Sequence, residues 1–152
     1  MIAVLASFRR VPASCYSVSI AGWQIEGWNV TYRAVLVDDD PLFRDWLRSL
    51  LAGSKDFEVL GEACNGAECI VLLNTVNPDV VVLDVYMPDW DGLELAQHIK
   101  THFPGIKTIV TSSHSDRVYS RLAAEKGAGA FIPKADLSTS ALLRALEAAP
   151  VP

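Results

Sequence analysis

Val80-Val81-Val82-Leu83-Asp84-Val85-Tyr86-Met87-Pro88 decides how this chain reads. Four apolar residues run directly into a carboxylate. Upstream, Ala34-Val35-Leu36-Val37 does the same and ends in Asp38-Asp39-Asp40. Short apolar runs bounded by turn signals fit strands buried on both faces of a parallel sheet. Parallel neighbours bring their carboxyl ends to one edge, so these acids are expected to crowd together. Carboxylates in one small space raise each other's pKa unless a cation intervenes. Mg²⁺ suits such a place, because it is small and hard and keeps waters and phosphate oxygens among its oxygen ligands. The pattern predicts a Mg²⁺ site with Asp84 placed to react with a phosphoryl group.

Working outward, strand and helix alternate from Arg33 onward. Pro41 can open a helix, since its missing N–H would be unpaired there anyway. Leu42, Phe43, Trp46, Leu47, Leu50 and Leu51 give that helix one broad apolar face, stopped near Gly53. Phe57 to Ala63 reads as a second strand, and Asn65-Gly66 as the turn before a helix running to about Val76. Asn77-Pro78 breaks that helix and leads into Val80–Asp84. Leu93, Leu95, Ala96 and Ile99 mark a third helix, closed by Phe103-Pro104-Gly105. Ile106 to Ser112, Asp116 to Lys126, Ala130 to Ile132 and a helix from the Ser138/Thr139 cap complete the series, with Gly127 as a C-cap. Five such units predict an α/β fold, a doubly wound five-stranded parallel sheet with helices on both faces. Ligands in these sheets bind beyond the carboxyl ends of the strands. The acids, Ser112 and Lys134 all fall on that rim.

Bulk properties agree with one domain. The chain has 152 residues, enough for a real core, and 51% apolar and 20% charged residues, an ordinary globular balance. Its net charge of −5 gives no basic footprint for nucleic acid. No apolar run reaches the roughly 18 residues of a membrane span. Cys15, Cys64 and Cys69 are odd in number without C-x-x-C spacing, so reduced thiols in a cytoplasmic protein are expected. Residues 1–32 lack periodicity and are expected to form a poorly ordered extension to a domain at 33–150. Arg9-Arg10 follows the apolar stretch Ile2–Phe8, where a signal peptide carries its basic residues in front.

Residues 35–44, 81–95, 109–114 and 127–134, taken together and in order, resemble the receiver domain of bacterial two-component response regulators. The quoted pieces are Val-Leu-Val-Asp-Asp-Asp-Pro-Leu-Phe-Arg, Val-Val-Leu-Asp-Val-Tyr-Met-Pro-Asp-Trp-Asp-Gly-Leu-Glu-Leu, Ile-Val-Thr-Ser-Ser-His and Gly-Ala-Gly-Ala-Phe-Ile-Pro-Lys. The pattern is most similar to receivers of LuxR-type transcription factors. The resemblance implies a flavodoxin-like sheet in the order 2-1-3-4-5. It implies Asp84 as phosphoacceptor, with Asp38, Asp39, Asp84 and the main-chain carbonyl of Tyr86 around Mg²⁺. It implies Lys134 as the conserved lysine, and Ser112 and Phe131 as the switch pair. The implied partner is a sensor histidine kinase or a histidine phosphotransfer protein. Self-association through the face of the fourth helix, fifth strand and fifth helix is also implied. The domain is expected to promote only its own phosphorylation and dephosphorylation, not to turn over a separate substrate.

Alternatives stand beside this reading. One is a receiver fragment of a LuxR-type regulator without its helix-turn-helix domain. Another is an aspartate-nucleophile phosphatase, which wants a second Asp where Tyr86 stands. Asp40 is expected to cap the first helix rather than to bind metal. Thr111 should point away from the site if Ser112 points toward it, and Ser113 is a weaker rival for the switch role. Asp89 and Asp91 should shape the turn ending at Gly92. Trp90 is open between partner contact and packing on its own loop. His98, His102 and His114 share no metal-ligand spacing and are expected at exposed or loop positions.

Overall fold

Every residue of the central strand, Val80–Asp84, is buried. A computed structural model of the chain describes residues 30–115 and 117–148, and the backbone pairing of Ser19–Ile20 with Trp23–Gln24. The expectations for residues 1–29, Cys15 included, and for Asp116 otherwise lie outside the described residues. The main sheet consists of β1 (Tyr32–Val37), β2 (Phe57–Ala63), β3 (Val80–Asp84), β4 (Lys107–Ser112) and β5 (Ala130–Pro133). All four pairings are parallel, and the spatial order is 2-1-3-4-5. The helices are α1 (Pro41–Ala52), α2 (Gly66–Thr75), α3 (Gly92–His102), α4 (Arg117–Glu125) and α5 (Thr139–Ala148).

Strand alternation sorts these helices onto two faces. Val35, Val37, Val81, Leu83 and Val110 pack with Cys69 and Leu73 of α2, Leu95 and Ile99 of α3, and Ala123 of α4. The residues in between, Ala34, Leu36, Val80, Val82 and Ile109, pack with Leu47 and Leu51 of α1 and Leu142 and Leu146 of α5. Both faces are covered, so central β3 is apolar from Val80 to Leu83 rather than alternating, whereas edge strand β2 carries Glu58 and Glu62.

Short-range chemistry fixes the helix ends. Asp40 caps α1 and accepts from the Leu42 N–H at 2.9 Å, ahead of Pro41. Asn65 caps α2, accepting from Glu68 N–H at 2.8 Å. Asp91 caps α3 through the N–H groups of Leu93 and Glu94. Gly127 (φ 80°) ends α4: its N–H bonds to Ala124 O and the next N–H, of Ala128, to Ala123 O. That pair of bonds needs the left-handed conformation glycine adopts without penalty.

Candidate phosphoacceptor site

Sheet register assembles the site. Val37 pairs with Leu83, Asp84 with Thr111, and Ser112 with Pro133. The residues at or just past these pairs, Asp38, Asp84, Ser112 and Lys134, therefore end on one rim. Carboxylate oxygens of Asp38, Asp39 and Asp84 all lie within 4.8 Å of one another. Asp38 and Asp84 are buried, while Asp39 is exposed.

Lys134 stands between the two buried acids. Its Nζ lies 2.6 Å from Asp38 Oδ2 and 3.5 Å from Asp84 Oδ1. The same ammonium sits over the Phe43 ring, 4.1 Å from the centroid. Beyond this ammonium, neither of these two buried oxygens has a hydrogen-bond donor among the described residues. Two buried carboxylates sharing one ammonium, beside a third, solvent-facing carboxylate, fit a small hard cation that takes oxygen ligands. Burial, reinforced by the neighbouring charge of Asp38 and opposed by Lys134, pushes the Asp84 carboxyl from 3.8 up to about 6.

The remaining expected residues sit around this centre. Ser112 is fully buried, and its Oγ accepts from the His114 N–H at 3.1 Å. Thr111 turns its hydroxyl to the sheet and donates to Leu83 O at 3.3 Å. Ser113 is exposed. Phe131 is half-buried and stacks on Tyr119 with centroids 6.2 Å apart. Tyr86 is half-exposed; its ring meets His114 edge-on, and its hydroxyl contacts that of Tyr119. Cys64 and Cys69 are free thiols, and burial pushes Cys69 up to about 12, leaving it un-ionised at neutral pH.

Several contributors escaped the sequence reading. Arg44 donates from a guanidinium nitrogen to the Asp38 carbonyl and pairs with Glu62 at 3.4 Å, bracing the acidic loop against β2. Asp89 does more than shape its turn. Its carboxylate accepts from the Gly66 and Ala67 N–H groups, both at 3.0 Å, which tethers the β3–α3 loop to the start of α2 and holds the carboxyl below its usual range. Trp90 packs against Gly66 at the start of α2 and edge-on to His98 of α3, beyond its own loop. Tyr119 joins Tyr86 and Phe131, although nothing in its local pattern distinguishes it from an ordinary helix-surface residue.

The response regulator receiver domain model matches residues 34–147. The chain belongs to this family. Among its relatives, the transcriptional regulatory protein DegU of Brevibacillus brevis is 31% identical over 113 residues, which is 74% of this chain and 48% of DegU. The chain therefore spans about half the length of that regulator. The chemotaxis protein CheY of Listeria monocytogenes is 37% identical over 117 residues, covering 77% of this chain and 97% of CheY. The solved two-component response regulator of the LuxR family from Aurantimonas sp. SI85-9A1 superposes with a TM-score of 0.70 at 30% identity, over 78% of this chain and 84% of that one. The receiver's flavodoxin-like order 2-1-3-4-5 is thus that of its relatives. Among the described residues no helix is long and apolar enough to cross a membrane.

Proposed function

We propose that this receiver is a phosphorylation-controlled switch acting in the cytoplasm, with Asp84 as the phosphoacceptor. The observation carrying the reading is the pair of buried oxygens of Asp38 and Asp84 that share the Lys134 ammonium and have no further donor among the described residues. Ionised Asp84 attacks the phosphorus of a phosphohistidine on a sensor kinase or phosphotransfer protein, or of a small acyl phosphate. The bond from phosphorus to the donor breaks, its electron pair leaves with the donor, and an acyl phosphate remains on Asp84.

Asp38, Asp39, Asp84 and the Tyr86 carbonyl would hold Mg²⁺, which supplies charge neutralisation for the incoming phosphoryl group. Lys134 is a mobile point charge that can leave Asp38 for the phosphate. Ser112 can turn its hydroxyl from the His114 N–H to a phosphoryl oxygen. That movement links the site to Phe131 and to the α4–β5–α5 face, through which the receiver would pair with itself or with an output protein or domain. The phosphate selects a conformation already sampled. The domain acts on its own aspartate and needs no separate turnover substrate.

Intact-mass measurement after incubation with acetyl phosphate and Mg²⁺ tests the reading. One phosphoryl group is expected on the wild type and none on Asp84→Asn. Equal incorporation into both proteins would overturn the assignment.

A further inference from the structure

Phe43 lies in the first turn of α1, where the Asp40 cap and Pro41 place it. Lys134 opens the short 3₁₀ turn Lys134–Asp136 that follows β5. Their strands, β1 and β5, are separated in the sheet by β3 and β4. The two side chains nevertheless meet on the rim, with Lys134 Nζ over the Phe43 ring, 4.1 Å from its centroid. That is well inside the roughly 6 Å over which a ring face attracts a cation. The Lys134 side chain is only 15% exposed, so water screens the attraction little. The ring itself is fixed. It packs against the core shared by α1 and α5 and lies tilted on Trp46, with centroids 5.4 Å apart.

A lysine ammonium carries three N–H donors on a flexible stem. Here it sits off-centre, 2.6 Å from Asp38 Oδ2 against 3.5 Å from Asp84 Oδ1. A ring face attracts the charge through its quadrupole and demands no particular N–H direction. The ammonium can therefore turn its donors from one oxygen to another while it stays over the ring. We propose that Phe43 is a positioning residue for Lys134. Its ring face keeps the ammonium between Asp38 and Asp84, where it opposes a divalent cation at the same carboxylates, and keeps it within reach of a phosphoryl group on Asp84. The second half of this role rests on the reading of Asp84 as phosphoacceptor.

The test compares the full chain with Phe43→Leu, Phe43→Tyr and chains carrying a mono- or trifluorinated phenylalanine in place of Phe43. The readouts are the NMR shift of the Lys134 ε-protons, Mg²⁺ affinity by calorimetry, and the rate of phosphoryl uptake from acetyl phosphate at saturating Mg²⁺. Phe43→Leu should abolish the upfield ring-current shift on the ε-protons. It should slow uptake about 2- to 30-fold, the span of a cation–π contact from exposed to desolvated settings, and tighten Mg²⁺ binding at least about twofold. Fluorinated rings nearly keep the shape of Phe43 but drain charge from its face. Both changes should therefore grow stepwise along that series at unchanged melting temperature, and Phe43→Tyr should behave as wild type. The opposite signs are the signature, since a merely loosened site would lose uptake and Mg²⁺ affinity together. A trifluorinated chain that matches wild type in both quantities would overturn the proposal, as would weaker Mg²⁺ binding in Phe43→Leu. If the wild type itself takes up no phosphoryl group, the assignment of Asp84 fails, while the ε-proton shift and Mg²⁺ affinity still decide the role of Phe43.

Discussion

A β-carbon placed on Gly92 would fall 2.0 Å from the carbonyl oxygen of Asp84. The start of α3 is thus pressed against the backbone of the phosphoacceptor, and the Gly92 N–H bonds to Val85 O at 2.8 Å. The obstacle is main chain, so a side chain here cannot be accommodated by a rotamer change. Gly92→Ala is expected to cost more than about 2 kcal/mol, the scale of overpacking with a backbone shift, and to slow phosphoryl uptake. Denaturant melting and acetyl phosphate labelling measure the two effects. A variant that melts and labels like the wild type would show that the loop can retreat freely.

Stability should depend on pH through Asp84. Its carboxyl titrates at 3.8 ordinarily and at about 6 in the folded chain. The folded state holds the proton more tightly, so this contribution to stability is full below 3.8 and is lost as pH rises through 6. Above pH 7 the charged form costs about 3 kcal/mol. In metal-free buffer, Asp84→Asn should be more stable than wild type at pH 8, and the gap should close by pH 4. Thermal melts across that range check it, and a gap independent of pH would contradict the burial argument.

Lys134→Met leaves Asp38 and Asp84 facing each other without their cation. Removing one partner from a buried pair costs about 3–5 kcal/mol. The variant should be destabilised on that scale without metal. It should also gain more from added Mg²⁺ than the wild type does, because the ion replaces the lost charge. Equal Mg²⁺ stabilisation in both proteins would argue against metal and lysine serving the same carboxylates.

Asp89→Ala should remove the tether between the β3–α3 loop and α2. Losing a side-chain cap costs about 1 kcal/mol, and uptake of phosphate at Asp84 should persist, since Asp89 touches Gly66 and Ala67 rather than the acidic cluster. Melting and labelling of the variant separate these effects. Loss of labelling at unchanged stability would place Asp89 in the phosphorylation chemistry instead.

What the sequence revealed and what it withheld follow from the range of the forces involved. Strands appeared because Val80–Leu83 and Ala34–Val37 are buried on both faces, so their composition carries the signal without neighbours. The Asp40 and Gly127 caps are local chemistry and were equally readable. The rim of acids, Ser112 and Lys134 followed from strand ends alone. Asp89 was read only as a turn residue because its partners lie 23 and 22 positions away in another unit. Trp90 was ambiguous because an aromatic in a loop looks alike whether it meets solvent or Gly66. Arg44 and Phe43 stood inside a quoted motif, yet their roles depend on the spatial approach of Asp38 and Lys134.

Ser112 offers the sharpest test of transmission. Its Oγ is engaged by the His114 N–H at 3.1 Å, and the His114 ring meets those of Tyr86 and Tyr119 at 5.6 and 6.3 Å. Tyr119 in turn stacks on Phe131 of β5. A phosphoryl group on Asp84 carries about −1.5 to −2 charges in place of the carboxylate's single one, together with strong acceptor oxygens, enough to compete for the serine hydroxyl. Rotation toward the phosphate frees the His114 N–H, and the aromatic group bridging β4, α4 and β5 then has a reason to rearrange. Ser112→Ala should accept phosphate at Asp84 but pass little of the change onward. Amide exchange on residues 117–148, with and without beryllofluoride, should shift in the wild type and stay nearly constant in the variant. A full response in Ser112→Ala would remove this residue from the route and direct attention to Ser113, the exposed hydroxyl beside it.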